Sequence, residues 1–259
     1  MTLAQFMIPV MNIALVTGVG IVLPLALREK LVPWLVAAVC VGISMNVDGS
    51  HSTAVAFVVP WTLLTVRSGL RALLDEEWWL AMAAGFAGTA SIALITSRLQ
   101  ATPFGITEPI VKLTALHFTY AGAGTLMLAQ RLNELRPSRL TRVTRWLVFI
   151  APPIVATGFV TRISVAQVGG ALVMTAGVWL VATQQFSDAV RGRARVLWWL
   201  SSLAPWVAMV LGVAWAANLY WPSIPALTVV DMVPTHGALN AFGFVLCGHV
   251  AAWLETRER

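Results

Sequence analysis

The sequence predicts an all-α fold, a polytopic bundle of about nine transmembrane helices that forms a single transmembrane domain over residues 1–259. Of its residues, 58% are hydrophobic and only 11% are charged, whereas soluble domains carry roughly 25% charged residues. Apolar runs of membrane-spanning length recur along the chain, separated by short breaks that hold charges, Gly and Pro. These observations leave almost no chain for a soluble domain.

Nine apolar runs define the predicted spans. The first run is preceded by no Lys or Arg, so it is interpreted as a span and not as a cleaved secretory signal. The second run is short and only Arg162 and Ile163 lie between the sixth and the seventh, which leaves eight spans as an alternative. The runs cover residues 7–27, 31–46, 53–73, 78–97, 108–130, 144–161, 164–186, 196–219 and 234–254.

Charge distribution predicts the orientation. With nine spans and an outside N-terminus, fourteen of the seventeen Lys and Arg residues fall in inside loops. Arg98 and Arg162 fall outside, and Lys112 falls within a span. Because cytoplasmic loops retain basic residues during insertion, we expect a multi-pass protein of the cell membrane, in a bacterium the inner membrane, with N-terminus out and C-terminus in. The same pattern explains the net charge of +6 without a nucleic-acid partner.

The fifth span begins with a candidate acid. Thr107 is expected to cap the helix and Pro109 suits its first turn. Glu108 and Lys112 are four residues apart, so they share a helix face and are expected to form an ion pair. The pair is interpreted either as a structural salt bridge or as a carboxyl group whose proton affinity is set by the ammonium.

Further along, the same span is polar on several faces. His117 lies on the face opposite Glu108, and Tyr120 lies between the two faces. An ionisable residue costs about 2.5–3.5 kcal/mol to insert, so each is a candidate for function. His117 is either a hydrogen-bonded interior residue or a catalyst. Such a helix is expected in the interior of the bundle, with Gly122 allowing close neighbours.

The ninth span opens with Asp231, followed by a stripe of polar and small residues. Thr235 is expected to cap this helix, and His236 and Asn240 follow at helical spacing. The stripe is interpreted either as interhelical packing or as part of a site. Asp231 has no basic residue nearby in sequence and precedes an apolar stretch, so desolvation would favour its protonated form and make it a better proton donor than Glu108.

The predicted topology brings these groups to the outer face, near deep aromatic residues such as Trp61 and Trp215. We therefore expect an acid-lined, aromatic-walled pocket open to the outer leaflet. A metal-dependent hydrolase is one alternative, although no tight ligand spacing is present. A proton-coupled transporter and a non-catalytic subunit are others. The outer groups are Asp48, His51, Glu108, Asp231 and His236.

Three short motifs carry a resemblance to a known family. E-P-I at 108–110, H-F-x-Y-A-G at 117–122 and T-H-G-x-L-N-A-x-G at 235–243 resemble the YndJ-like bacterial membrane proteins. Through them the chain looks like the membrane-bound, drimentine-type terpene cyclases. The resemblance implies protonation of a terminal alkene or epoxide on a lipophilic prenylated substrate, ring closure, and loss of a proton. Its acids match Glu108 and Asp231.

On this hypothesis no metal ion or other cofactor is expected, because the magnesium-binding DDxxD pattern is absent and a carboxyl group kept neutral by an apolar site supplies the proton. Aromatic faces would stabilise the cation. The predicted catalytic residues are Asp231, Glu108, His117 and His236. The predicted substrate-binding residues are Tyr120, Asn240, Lys112, Trp61, Trp215 and Phe242.

Overall fold

The computed structural model describes residues 3–47, 50–189 and 194–256. Within them the chain forms helices and no strand, which confirms the predicted all-α fold. The principal helices are α1 (Met7–Ala26), α2 (Leu31–Asn46), α3 (His51–Leu74), α4 (Trp78–Arg98), α5 (110–135), α6 (Arg139–Thr161), α7 (Ser164–Ala189), α8 (Arg195–Asn218) and α9 (Val229–Thr256).

Seven of these helices are long and apolar enough to cross a membrane. The exceptions are α2, which has only 16 residues, and α5, whose sequence includes Lys112 and His117. Large apolar side chains also lie on the surface: Val32 is 71% exposed and Leu63 is 63% exposed. Exposed apolar surface on this scale suits contact with lipid. The structure therefore supports a membrane-spanning protein with seven candidate spans.

The starts of α5 and α9 differ from the predicted ones. Helix α9 begins at Val229, and the cap is Thr228, whose hydroxyl accepts the backbone N–H of Asp231 at 3.3 Å. Thr235 lies inside the helix and donates to the carbonyl of Asp231 at 2.6 Å. The predicted cap was wrong because the helix already begins at Val229, and Thr235 lies in a wide turn within it.

Helix α5 begins at Ile110 and has Pro109 as its cap residue, without a side-chain capping bond. Thr107 therefore does not cap the helix as predicted. Its carbonyl instead accepts the N–H of Ile110 at 3.0 Å. Glu108 lies just before the helix.

Parts of α1, α5 and α9 are π-helical. A π-helical turn joins residue i to residue i+5 and often occurs at functional sites. The segments are Gly18–Val22, Phe118–Gly124, Val233–Gly237 and Leu239–Leu246. Two of the three motifs thus lie largely in wide turns, which the sequence analysis did not predict.

The helices group into two compact units. The N-terminal unit is Met11–Met127, and the C-terminal unit is Leu128–Arg259 together with Met1–Val10. In the N-terminal unit α1 packs on α2 and α5, and α4 packs on α3 and α5. A Cβ atom at Gly122 would lie 3.0 Å from the side chain of Phe86, which confirms the predicted close approach. In the C-terminal unit α7 packs on α6 and α8, and α9 packs on α8.

Candidate functional site

The N-terminal unit contains a polar cavity of about 270 Å³. It lies where the end of α4 and the start of α5 meet the residues that flank α2 and α3. Its lining includes four residues with ionisable side chains, which are His51, Arg98, Glu108 and Lys112. The cavity therefore gathers charged groups from separate parts of the sequence.

Glu108 and Lys112 do not form the expected ion pair. The Glu108 carboxylate accepts the backbone N–H of Lys112 at 3.3 Å, and so takes up a free donor in the first turn of α5. The Lys112 ammonium donates to the side-chain oxygen of Asn12 on α1 at 2.6 Å. Each charged group thus has a neutral partner, and both also line the cavity.

Arg98 and His51 hold the other side of the cavity. One terminal nitrogen of the Arg98 guanidinium donates to the carbonyl of Val47 at 2.8 Å. The Nδ1 atom of His51 lies 2.9 Å from the carbonyl of Arg98. The Nε atom of Arg98 is buried and has no hydrogen-bond partner. An unpartnered buried donor of this kind is costly, which favours a ligand with an acceptor group.

This lining corrects part of the sequence interpretation. An acid-lined pocket with aromatic walls was expected, but the described lining residues include two fixed cations, Arg98 and Lys112, and one acid, Glu108. Arg98 had been counted only as a loop charge. Asp48, another expected member, lies outside the described residues. The cavity is better suited to an anionic group than to a cation.

The C-terminal unit holds a second polar cluster, formed by α8 and α9. The Nδ1 atom of His236 lies 2.6 Å from the carbonyl of Ala208 and 3.4 Å from the amide nitrogen of Asn240. That amide nitrogen also contacts the sulfur of Met209 at 3.7 Å. The imidazole packs against Gly212, where a Cβ atom would come within 2.7 Å of it.

Because Nδ1 is engaged, Nε2 is the nitrogen of His236 that remains for proton transfer. His236 and Asn240 are thus brought together as the spacing on the ninth span predicted. Gly212 was missed. The sequence of α8 gives no sign that this glycine accommodates an imidazole from another helix.

Asp231 lies in the first turn of α9. Its Oδ2 atom accepts the Thr228 hydroxyl at 2.7 Å, so its carboxylate takes part in capping the helix. Among the described residues no Lys, Arg or His lies within salt-bridge distance of it. This matches the expectation of a carboxyl group without a basic neighbour. Asp231 belongs to the C-terminal unit and Glu108 to the N-terminal unit, and their predicted shared pocket stays a prediction.

The other predicted residues occupy varied environments. Tyr120 is 5% exposed, and its hydroxyl donates to the carbonyl of Ala14 at 2.8 Å. His117 is exposed. Trp61 is fully buried in the core, with its ring nitrogen unpartnered. Trp215 stacks on Phe159 with ring centroids 6.0 Å apart, and Phe242 is half-buried on α9.

The family follows from a match along most of the chain. A sequence model described as YndJ-like protein matches residues 6–244, a range that contains all three motifs. The chain belongs to the YndJ-like family. No curated protein and no solved structure matches it. The function of this family member is therefore inferred from the geometry of its two polar sites.

The described residues offer little support for a metal site. No group of three or more His, Cys, Asp or Glu side chains in residues 3–47, 50–189 and 194–256 lies close enough to hold a metal ion. The set expected for a metal-dependent hydrolase included Asp48, which lies outside these ranges.

Two acids bind side chains of other helices. The buried Glu29 side chain is 6% exposed and accepts from Ser68 at 2.9 Å and Arg71 at 3.2 Å. The half-buried Glu255 accepts from the Trp198 ring nitrogen at 2.6 Å and from Arg131 at 3.3 Å. Both belong to structural clusters whose partners lie on other helices.

Proposed function

We propose that this YndJ-like protein is a membrane enzyme that cyclises a prenyl chain on a lipophilic substrate by a proton-initiated mechanism. The observation that carries the proposal is the placement of Asp231. Its Oδ2 atom accepts the Thr228 hydroxyl at 2.7 Å, and no cation among the described residues lies within salt-bridge distance of it. Oδ1 is left as the oxygen that would transfer a proton.

In the proposed reaction, Asp231 Oδ1 transfers its proton to a terminal alkene carbon or to an epoxide oxygen. A neighbouring double bond attacks the resulting cation and closes the ring. The last cation loses a proton to a base, for which Nε2 of His236 is the candidate. The faces of Trp215 and Phe242 would stabilise the cation by about 0.5–2 kcal/mol each.

Glu108 fits a different role. It is exposed and shares its cavity with the side chains of Lys112 and Arg98. We therefore assign the proton donor to Asp231 and regard Glu108 as a base or an anchor.

The test uses the purified full chain in detergent, supplied with prenylated aromatic substrates with and without a chelator. We expect cyclised product in both conditions, detected by mass spectrometry. Product that disappears with the chelator, or hydrolysis in place of cyclisation, would contradict the proposal. Heat-denatured protein serves as the control for spontaneous cyclisation in acid.

Proton-coupled transport is the second candidate, because Lys112 is an ionisable group within a helix and is held by Asn12 on another helix. Intramembrane ionisable residues of this kind form proton relays in transporters. Reconstituted vesicles with a pH-sensitive dye inside would distinguish the two. Substrate-dependent proton movement without product formation would favour transport.

We further propose nine spans in the cell membrane, with the N-terminus outside and the C-terminus inside. Reporter fusions at Gln100 and Arg139 separate this topology from one in which neither α2 nor α5 crosses. With nine spans Gln100 lies outside and Arg139 inside. If α2 and α5 do not cross, both positions lie inside. A cytoplasmic signal at Gln100 would therefore overturn the nine-span arrangement.

A further inference from the structure

A second feature of the N-terminal unit lies next to the polar cavity. A groove of about 230 Å³ runs between α1 and α2, and its surface is mainly apolar, with Ile13, Val16 and Met45 in its lining. Gly42 on α2 forms part of its wall, and a Cβ atom there would meet only Val16, at an ordinary contact distance of 3.6 Å. The glycine thus keeps the groove wide.

The cavity and the groove are joined by one hydrogen bond. Asn12 lines the groove, and its side-chain oxygen accepts the Lys112 ammonium at 2.6 Å, while Lys112 lines the cavity. The linings of the cavity and the groove thus adjoin at this pair, so that one ligand with a charged part and a hydrocarbon part could contact both. An ammonium has three donors, so Lys112 keeps two for a ligand.

The charges of the cavity favour an anion. Arg98 and Lys112 oppose the single charge of Glu108 among the described lining residues. The buried Nε atom of Arg98 has no partner. Guanidinium and ammonium groups together bind phosphate oxygens well. At about 30 Å³ for each water molecule, the volume of the cavity corresponds to roughly nine waters, which is enough space for a phosphate group.

We infer that the N-terminal unit binds a membrane lipid with an anionic phosphate headgroup, the phosphate in the cavity beside Arg98 and Lys112 and the hydrocarbon chain in the groove beside Gly42. The site does not depend on the proposed cyclisation. It involves no bond formation, and it is lined by residues of the N-terminal unit. Its ligand is a lipid that stays intact.

The test compares three probes that share parts of one structure. The full chain in dodecyl maltoside micelles is titrated with oleoyl lysophosphatidate, with monoolein, which lacks the phosphate, and with glycerol 3-phosphate, which lacks the chain. Binding is measured by microscale thermophoresis. We expect saturable binding of lysophosphatidate that is at least tenfold tighter than binding of either fragment. Equal binding of monoolein, or full competition by glycerol 3-phosphate at the same concentration, would overturn the inference.

Paired variants then locate the site. Lys112→Met removes the charge and Gly42→Leu fills the groove, and each should weaken binding at least tenfold. Lys30→Met and Gly85→Leu are the matched controls, because Lys30 is exposed near the start of α2 and a Cβ atom at Gly85 would meet nothing within 4 Å. The controls should bind within about twofold of wild type. Loss of binding in the controls, or retention in both site variants, contradicts the proposed location.

Glu108→Gln gives a test of opposite sign. It removes the one described negative charge in the cavity but keeps an oxygen that accepts the Lys112 N–H. Binding of lysophosphatidate should become several-fold tighter. This variant serves even if Lys112→Met fails to fold, and weaker binding would show that the cavity does not hold an anion.

Discussion

The two units use polar residues in different ways. In the N-terminal unit, charged side chains from distant parts of the sequence line an accessible cavity. In the C-terminal unit, the side chains of His236 and Asn240 contact each other, a backbone carbonyl and a thioether. Both arrangements lie beside helices with π-helical turns.

The two arrangements favour different chemistry. Cationic side chains beside one carboxylate favour binding of an anion, because they attract negative charge. A single imidazole with one engaged nitrogen, together with a carboxyl group that has no cationic partner among the described residues, favours proton transfer. The two proposals accordingly place catalysis in the C-terminal unit and ligand anchoring in the N-terminal unit.

The largest expected effect comes from Asp231→Asn. General acid catalysis contributes typically 10²–10⁴-fold, so we expect turnover to fall by at least about a hundredfold while the protein stays folded. Glu108→Gln should reduce turnover much less. Steady-state rates of product formation measure both. If Glu108→Gln is the more severe variant, the assignment of catalysis and anchoring to the two units is reversed.

Close helix contacts provide a second comparison. In the C-terminal unit, a Cβ atom at Gly158 would lie 2.6 Å from the backbone nitrogen of Gln167. Backbone cannot move aside easily, so Gly158→Ala should lower the free energy of unfolding by about 1–3 kcal/mol. Gly169→Ala is the control on the neighbouring helix, because a Cβ atom there meets nothing within 4 Å.

In the N-terminal unit, a Cβ atom at Gly18 would meet side chains: a methyl of Thr119 at 2.8 Å and the ring of Tyr120 at 3.2 Å. Side chains adjust more readily than backbone, so Gly18→Ala should cost less than Gly158→Ala. Unfolding in mixed detergent micelles measures both changes. An equal or greater loss for Gly18→Ala would show that the packing of α1 on α5 is as rigid as that of α6 on α7.

The sequence predicted the all-α class and the approximate position of every long helix, because hydrophobic runs report directly on burial in lipid. It also predicted that His236 and Asn240 lie at helical spacing in one polar stripe, since they are four residues apart. It did not predict that Lys112 pairs with Asn12, which is 100 residues away, because no local pattern encodes such a partner.

The lack of a local pattern also explains why the lining of the polar cavity was not predicted. Glu108 and Lys112 suggested an ion pair because they are four residues apart, and Arg98 was counted among the basic residues outside the membrane. Their common cavity depends on how α4 ends and α5 begins, which are loop geometries. The π-helical turns were also missed, since apolar periodicity is not sensitive to one extra residue in a turn.

The smallest expected effect comes from Tyr120→Phe, which distinguishes a structural role of Tyr120 from a role in substrate binding. Tyr120 was predicted to bind substrate, but its hydroxyl donates to the carbonyl of Ala14 at 2.8 Å and lies 2.9 Å from the hydroxyl of Thr17. Interhelical hydrogen bonds in membrane proteins contribute about 0.6 kcal/mol on average. Tyr120→Phe should therefore lower the free energy of unfolding by about 0.5–1 kcal/mol.

The kinetic constants of the same variant complete the test. If the hydroxyl only joins α5 to α1, its removal leaves KM and kcat close to wild type once the protein is folded. If the hydroxyl contacts the substrate, its removal raises KM while the free energy of unfolding stays the same. Thr17→Val serves as the control, because it removes the hydroxyl beside Tyr120 and leaves the phenol in place. If Tyr120→Phe raises KM and Thr17→Val does not, then Tyr120 contacts the substrate, and the N-terminal unit takes part in binding the prenylated substrate as well as anchoring a lipid.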